Sequence, residues 1–182
     1  MKTMTIRKST GSKLSPGWKV LEVIKASYGD WEGTKFLDVW FKDLPESANG
    51  RIYAKVGKDG EEFSIAQVFR FANAGLTSAL TGANGDMVVE FDDTADNLVG
   101  KSLWVYMYKD GEYSRILKQF APTPFENQVE TFTEEDVEYW KTRAVKYYTD
   151  YVLKDNTSNG FVPAASTNDV EVTADPTTDL PF

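Results

Sequence analysis

Alternation of apolar and polar positions is the strongest pattern in the first two thirds of the chain, and it predicts β-strands. Five segments alternate in this way or are rich in β-branched and aromatic residues: 18–25, 34–42, 51–56, 102–109 and 113–120. Asp110 and Gly111 separate the last two segments, as is typical of a tight hairpin turn. A shorter apolar run, 87–91, predicts one more strand, whereas the glycine-rich segment 26–33 is predicted as a loop. The sequence therefore predicts a mainly β protein.

Two segments have helical periodicity instead. The first covers residues 64–74, where Ser64 and Gln67 are spaced like a capping box. Thr133 and Asp136 form a similar pair at the start of a longer helix. The apolar stripe of that helix must be buried on the rest of the chain or against a second copy of it, and it comprises Val137, Trp140, Ala144, Tyr147, Tyr148 and Tyr151. The opposite face is predicted to be solvated and carries Glu134, Glu138, Lys141 and Asp150.

The order of these elements predicts the fold. Three strands, a helix and a two-strand hairpin follow one another over residues 17–122, which is the order of the five-stranded OB-fold. An SH3-like barrel or a small β-sandwich is the competing arrangement. We therefore expect an OB-fold barrel with a helix between strands three and four. Around it we expect a flexible basic segment over 1–16, a linker and amphipathic helix over 123–154, and a disordered acidic tail over 155–182.

Composition excludes most catalytic chemistry. The 182 residues include no cysteine and no histidine, which excludes disulfides, cysteine or histidine zinc ligands, cysteine nucleophiles and histidine acid-base catalysis. No stretch approaches the roughly 18 apolar residues of a membrane span, and residues 1–16 lack the apolar centre of a signal peptide. We expect no cofactor, no membrane partner and a cytoplasmic location.

The net charge of −8 is unevenly distributed along the chain. Residues 155–182 hold five of the 28 acidic residues and none of the 20 basic residues. Acidic and basic residues are therefore nearly equal in number over residues 1–154. A balanced body can carry a basic groove. Aromatic residues make up 14% of the chain, and single-stranded nucleic acids stack on such side chains. The charge therefore does not exclude a nucleic-acid ligand.

The C-terminal tip is a candidate docking peptide. Asp179, Leu180, Pro181 and Phe182 combine an acid, a stiffening proline and a terminal aromatic ring. This tip resembles that of single-stranded DNA-binding proteins, in which acids precede a terminal Pro-Phe. This tip has fewer consecutive acids than that of bacterial members, and no long Gly/Gln-rich linker precedes it. It therefore resembles a phage or plasmid member more closely. The resemblance implies single-stranded DNA binding in a bacterial cytoplasm, and recruitment of replication, recombination and repair proteins through the tip.

Aromatic rings and cations on the predicted strands form the candidate DNA site. Its residues are Lys35, Trp40, Arg51, Tyr53, Lys55, Trp104, Tyr106, Arg115 and Lys118. Bases would stack on the rings without sequence preference while the cations follow the phosphates. Two alternatives stay open. The face formed by Arg51, Tyr53 and Lys55 could be merely solvated, and the C-terminal helix could cover Trp104 and Tyr106.

Two other classes of function stay open. An acidic adaptor that binds only proteins would also explain the net charge. An enzyme would need a metal site, and Asp92, Asp93 and Asp96 could hold a divalent cation for nuclease chemistry. Acids beside a loop and a helix start more often serve as caps. The sequence therefore favours a binding protein without catalytic activity.

Overall fold

The computed structural model describes residues 14–154 of the protein. The strands are β1 Gly17–Trp31, β2 Thr34–Phe41, β3 Gly50–Tyr53, β4 Leu76–Thr81, β5 Met87–Phe91, β6 Ser102–Asp110, β7 Tyr113–Ile116, β8 Phe125–Glu126 and β9 Thr131–Phe132. The helices are α1 Ser64–Phe71 and α2 Glu134–Tyr147, with a 3₁₀ turn at Ala95–Leu98 and a π-helical turn at Tyr148–Val152. The described part is mainly β with a C-terminal helix, as predicted.

Five strands form one antiparallel sheet in the order β3-β2-β1-β6-β7. The predicted order of three strands, a helix and a hairpin is confirmed, although the β4-β5 hairpin stands between α1 and β6. The sheet is not closed into a barrel, because within residues 14–154 no ladder joins β3 to β7. Side chains approach across this gap: the Phe120 ring and the Ile116 methyl lie beside Gly50. A Cβ at Gly50 would stand 2.8 Å from the Phe120 ring, so glycine permits the approach.

Strand β1 is much longer than predicted. It runs for 15 residues, so the prediction of a loop over 26–33 is wrong. The first half pairs with β6 and the second half with β2, and an irregularity between Val23 and Lys25 separates the halves. Glu32 and Gly33 alone make the turn into β2, and both have positive φ, as a two-residue hairpin turn requires. The glycines in this segment therefore serve a tight turn and a strand rather than a loop.

The core contains side chains from one face of the sheet, from α1 and from the segment after β7. Fully buried side chains with large volume include Phe41, Phe69, Leu37, Leu98, Leu103, Met107 and Leu117. Full burial of one such side chain contributes about 1.5–3 kcal/mol to folding. The segment 14–16 also belongs to this body, because Leu14 packs against the core and its carbonyl accepts a hydrogen bond from Ser114.

Helix α1 begins differently from the prediction. Ser64 is the first helical residue rather than the cap, and its hydroxyl donates to the carbonyl of Tyr53 at 2.6 Å. The Glu62 carboxylate accepts hydrogen bonds from two backbone N–H groups of the first turn. The predicted capping box of Ser64 and Gln67 is therefore wrong. Glu62 satisfies the unpaired donors of the helix end, while Ser64 ties the helix to the end of β3.

The ends of two strands, β3 and β7, also differ from the prediction. Strand β3 ends at Tyr53, and Val56 is 64% exposed, so Val56 does not share the buried face of Ile52. Strand β7 ends at Ile116. Strand β5 lies where the sequence predicts it, but its partner β4 was not predicted. The Asn84-Gly85 pair between them was the available signal, since Asn-Gly is typical of hairpin turns.

Helix α2 begins as predicted. The Asp136 carboxylate accepts the backbone N–H of Thr133 at 2.8 Å, and the Thr133 hydroxyl accepts the backbone N–H of Asp136 at 3.3 Å. The hydrogen bonds that the Asp136 carboxylate accepts from the Thr133 backbone and then from the Thr133 hydroxyl lower the pKa of Asp136. Val137, Trp140 and Ala144 are buried, so the first part of the apolar stripe packs on the body as expected.

The polar side of α2 is not wholly solvated. The Lys141 side chain is only 14% exposed, and its Nζ lies 4.3 Å from the centroid of the Trp104 ring and 5.7 Å from that of Trp18. The prediction for Lys141 is therefore wrong, because the helix lies close enough to the sheet for this stem to pack on aromatic rings while Nζ pairs with Glu138. Helix α2 thus covers the outer side of β6 and the first half of β1.

Candidate nucleic-acid interface

The face of β1, β2 and β3 opposite the core is the candidate site. The register sets Lys25 beside Trp40, Asp38 beside Arg51, and Phe36 beside Tyr53. Alternation puts these side chains on the side away from the buried Leu37, Val39 and Ile52, and none of them belongs to the core cluster. We call this surface the aromatic-cation face and define it by Lys25, Phe36, Asp38, Trp40, Arg51 and Tyr53.

Lys25 and Trp40 form the first cation-ring pair of this face. The irregularity in β1 after Val23 brings Lys25 opposite Trp40, and Nζ lies 4.6 Å from the centroid of the indole ring. The indole Nε1 donates to the carbonyl of Glu46 at 3.1 Å. Because this hydrogen bond holds the ring, Trp40 is a positioned, partly exposed aromatic surface with an exposed cation beside it.

Asp38 and Arg51 form a charged pair at the centre of the face. Asp38 is the one charged residue among 14–154 that is buried. Arg51 donates to it through Nε at 2.8 Å and Nη2 at 2.7 Å, and the guanidinium lies 3.9 Å from the Phe36 ring centroid. The hydrogen bonds to Asp38 raise the pKa of Arg51. Because Asp38 compensates the charge, Arg51 serves mainly to order the face.

The third part of the face is a stack of rings ending on a lysine. The Phe36 ring lies against the backbone of Gly29, where any Cβ would overlap it. Tyr53 meets Phe36 edge to face at 5.7 Å, and the Nζ of Lys118 lies 5.3 Å from the Tyr53 ring centroid. Phe36 is only 9% exposed, so it supports the face from below while Tyr53 remains accessible.

Helix α1 holds the end of β3 in place. The Ser64 hydroxyl, which donates to the Tyr53 carbonyl, also accepts the backbone N–H of Lys55 at 3.0 Å. Lys55 is exposed and is the second residue after β3. The ordered start of α1 therefore positions both Tyr53 and the Lys55 backbone without covering their side chains.

Other predicted site residues lie elsewhere. Lys35 alternates with Phe36 and therefore points away from the aromatic-cation face; its Nζ lies 4.0 Å from the Tyr28 ring centroid and 3.6 Å from a carboxylate oxygen of Asp93. Arg115 pairs through Nε with the Asp110 carboxylate on the β6-β7 hairpin. Neither cation is brought together with Trp40 and Tyr53.

Trp104 and Tyr106 lie under α2. Lys141 packs on the Trp104 ring, while Tyr106 contacts the Trp18 ring at 5.2 Å and the Tyr148 ring at 5.4 Å. Both side chains are partly buried rather than open. The structure therefore confirms the alternative in which the C-terminal helix covers Trp104 and Tyr106.

Three residues of the face were not predicted as site residues: Lys25, Phe36 and Asp38. Lys25 stands at the end of the predicted first strand, and its contact with Trp40 depends on the unexpected continuation of β1. Phe36 lies within the predicted second strand, but nothing local in the sequence shows that it packs over Gly29. A glycine paired with an aromatic residue in the neighbouring strand was the available signal, since such rings often cover strand glycines.

The acidic cluster considered for metal binding has structural partners. The Asp92 carboxylate accepts hydrogen bonds from the backbone and hydroxyl of Thr94, and hydrogen bonding led by that hydroxyl lowers the pKa of Asp92. The Tyr28 hydroxyl donates to the Asp93 carbonyl at 2.8 Å, and burial followed by the Asp93 charge raises the pKa of Tyr28. Within residues 14–154 no group of three or more acidic side chains is arranged to hold a metal ion.

The tip residues Asp179, Leu180, Pro181 and Phe182, and most of the predicted basic segment over 1–16, lie outside the described residues. No helix in the described part is long and apolar enough to cross a membrane. Comparison of the chain with protein-family models, with curated proteins and with solved structures gives no match.

Proposed function

We propose that this protein binds single-stranded DNA without sequence preference through the aromatic-cation face, and that its C-terminal tip recruits replication and recombination proteins. One observation carries the DNA-binding part: cations contact the rings of Trp40, Phe36 and Tyr53 in succession across neighbouring strands, on a face that the core does not use. Single-strand binders combine stacking rings with positive charge in this way.

The strand order supports the same proposal. A helix after the third of five strands, followed by a hairpin, is the OB-fold arrangement, in which strands two and three bind oligonucleotides. We propose that the open sheet is an OB-type barrel whose edges meet through Phe120 and Gly50. On this basis the aromatic-cation face corresponds to the OB-fold binding surface.

The ring and charge contacts suggest separate roles within the face. Trp40 and Tyr53 are partly exposed and would each stack with a base, contributing about 1–3 kcal/mol per base. Lys25 and Lys55 are exposed cations that can follow phosphates, and Lys118 does the same at the Tyr53 end. Lys35, Trp104, Tyr106 and Arg115 are left out of this revised interface because of their positions and contacts.

Tryptophan fluorescence titrated with poly(dT) tests the proposal directly. Trp40 is the tryptophan of the aromatic-cation face, whereas Trp31 is exposed at the β1-β2 turn. We expect quenching at low salt that persists in Trp31→Phe, is lost in Trp40→Phe and resists excess duplex competitor. Absence of quenching in every protein, together with no gel shift, would instead favour an acidic adaptor that binds only proteins.

Replacing Lys25 with alanine should weaken binding to all single-stranded sequences alike. Each phosphate contact contributes about 0.7 to the slope of log K against log salt for single strands, so Lys25→Ala should flatten this slope by about that amount. Lys146→Ala removes an exposed lysine of α2 and serves as the matched control. Equal slopes for wild type, Lys25→Ala and Lys146→Ala would mean that Lys25 contacts no phosphate.

Replacing Phe182 with alanine should abolish partner recruitment while leaving DNA affinity and thermal stability unchanged. A buried aromatic anchor of a small interface contributes about 2 kcal/mol or more, and this substitution alters no charge. Pull-downs from bacterial lysate with quantitative mass spectrometry provide the measurement. Phe161→Ala, which removes a ring from the same tail, is the control. Recovery of the same replication proteins by wild type and Phe182→Ala would refute the docking role.

A further inference from the structure

A second aromatic surface lies beyond the Lys118 end of the aromatic-cation face. A cleft of about 270 Å³ opens between the β6-β7 hairpin, the segment after β7 and the π-helical turn that follows α2. Its main lining residues are Tyr108, Asp110, Leu117, Lys118, Tyr147 and Tyr151. We call it the tyrosine cleft.

The π-helical turn arranges the rings of this cleft. Tyr148 packs on Tyr108 with ring centroids 5.1 Å apart and on Tyr106 at 5.4 Å, which fixes the end of the helix on the sheet. Tyr147 and Tyr151 lie 5.2 Å apart with ring planes inclined by 37°. Tyr151 is 56% exposed, and its ring packs on that of Tyr147. Wider helical turns of this kind are frequent at functional sites.

Charge and chemistry fit a nucleotide in this cleft. The Lys118 ammonium lies beside Tyr53 and also lines the cleft, so a single cation borders both surfaces. The one acid of the lining, Asp110, is paired with Arg115. The Tyr108 hydroxyl does not repel phosphate, because a tyrosine is neutral at physiological pH and burial raises the pKa of Tyr108 further.

We propose that the tyrosine cleft is a second base-stacking subsite for single-stranded nucleic acid, joined to the aromatic-cation face through Lys118. The inference rests on the proposed DNA binding and deepens it, because it assigns a path to the bound strand: from Trp40 past Tyr53 and Lys118 to Tyr151. A strand long enough to pass Lys118 then gains stacking that a short strand lacks.

Oligonucleotide length separates the two surfaces. A dT oligomer of about four nucleotides, the smallest site size of an OB-fold, should occupy the aromatic-cation face alone, whereas one of about 12 should reach the cleft. In Tyr151→Ala we expect affinity for the longer oligomer to fall about fivefold or more, with affinity for the shorter one unchanged. Tyr151→Phe should retain the affinity for the longer oligomer, since it keeps the ring.

Tyr139→Ala is the matched control, because Tyr139 is a similarly exposed tyrosine of α2, at 52%, and does not line the cleft. It should leave both affinities unchanged. Equal losses for the two oligomers in Tyr151→Ala, no loss for either, or an equal effect of Tyr139→Ala would overturn the subsite. If the wild type binds neither oligomer, the proposed function fails as well; if only the length dependence is missing, the subsite alone fails.

Photocrosslinking of the wild type gives a second test that needs no variant. Oligomers of 12 nucleotides with a single 5-iodouracil, moved along the strand, are irradiated with the protein, and the crosslinked peptides are mapped by mass spectrometry. We expect crosslinks to Trp40 or Tyr53 from one end of the strand and to Tyr147 or Tyr151 from the other. Crosslinks confined to the aromatic-cation face at every position would overturn the subsite while supporting DNA binding.

Discussion

Replacing both Trp40 and Tyr53 with alanine is expected to weaken binding of single-stranded DNA by about 30-fold or more, because each ring would lose about 1–3 kcal/mol of base stacking. The loss should be similar for all sequences, and the salt slope should change little because no charge is removed. Fluorescence anisotropy of labelled dT oligomers at several salt concentrations measures both quantities.

The thermal stability of this double variant provides the control for folding. Trp40 and Tyr53 lie outside the core cluster, so their loss should lower the free energy of unfolding far less than the 3–5 kcal/mol typical of a core aromatic residue. Phe69→Ala truncates a fully buried ring of α1 and serves as the reference variant, in which the full loss of unfolding free energy for a core ring is expected. DNA affinity that survives in a folded Trp40→Ala, Tyr53→Ala protein would contradict the proposed interface.

Arg51→Ala is expected to lower the free energy of unfolding by about 2–3 kcal/mol. The substitution leaves the buried Asp38 carboxylate without its bidentate partner, and breaking a buried ion pair typically costs about 3–5 kcal/mol. We expect a loss smaller than this range because the Arg51 side chain is 39% exposed, so solvent screens the pair. The loss of its stacking on Phe36 adds to the effect. Urea denaturation followed by circular dichroism measures the change.

A double-mutant cycle isolates this pair. Asp38→Ala, Arg51→Ala should be less destabilised than the sum of the two single variants, because neither charge is then left unpaired. Lys55→Ala removes the next cation along the chain, which is exposed, and should change stability by no more than about 0.5 kcal/mol. Additive losses in the cycle, or equal losses in Arg51→Ala and Lys55→Ala, would show that the pair does not order the face.

The same pair changes the expected salt dependence. From the sequence, Arg51 and Lys55 are equivalent outward cations on an alternating strand. In the structure Asp38 compensates Arg51, so Arg51 should contribute less to phosphate binding than Lys25. The difference between Arg51 and Lys55 depends on the contact of Arg51 with Asp38 on the neighbouring strand. Alternation within one strand contains no information about that contact.

Local signals in the sequence determined the element order and several boundaries. Alternation predicted five strands that pair in one sheet, and the Asp110-Gly111 turn predicted the β6-β7 hairpin. Thr133 and Asp136 predicted the start of α2 because capping involves neighbours three residues apart. Tyr53 was likewise assigned to one face of its strand, together with Arg51 and Lys55. These features depend on residues close together in the chain, so the sequence alone determines them.

Only the tertiary structure decided which outward rings remain accessible. Trp104 and Tyr106 alternate as regularly as Tyr53 does, yet Lys141 of α2 packs on the Trp104 ring and Tyr148 of the π-helical turn packs on the Tyr106 ring. Lys25 meets Trp40 only because β1 continues past its irregularity and exchanges partners from β6 to β2. Contacts of this kind join residues far apart in the chain. Their geometry is set by packing, which the periodicity of a single segment does not encode.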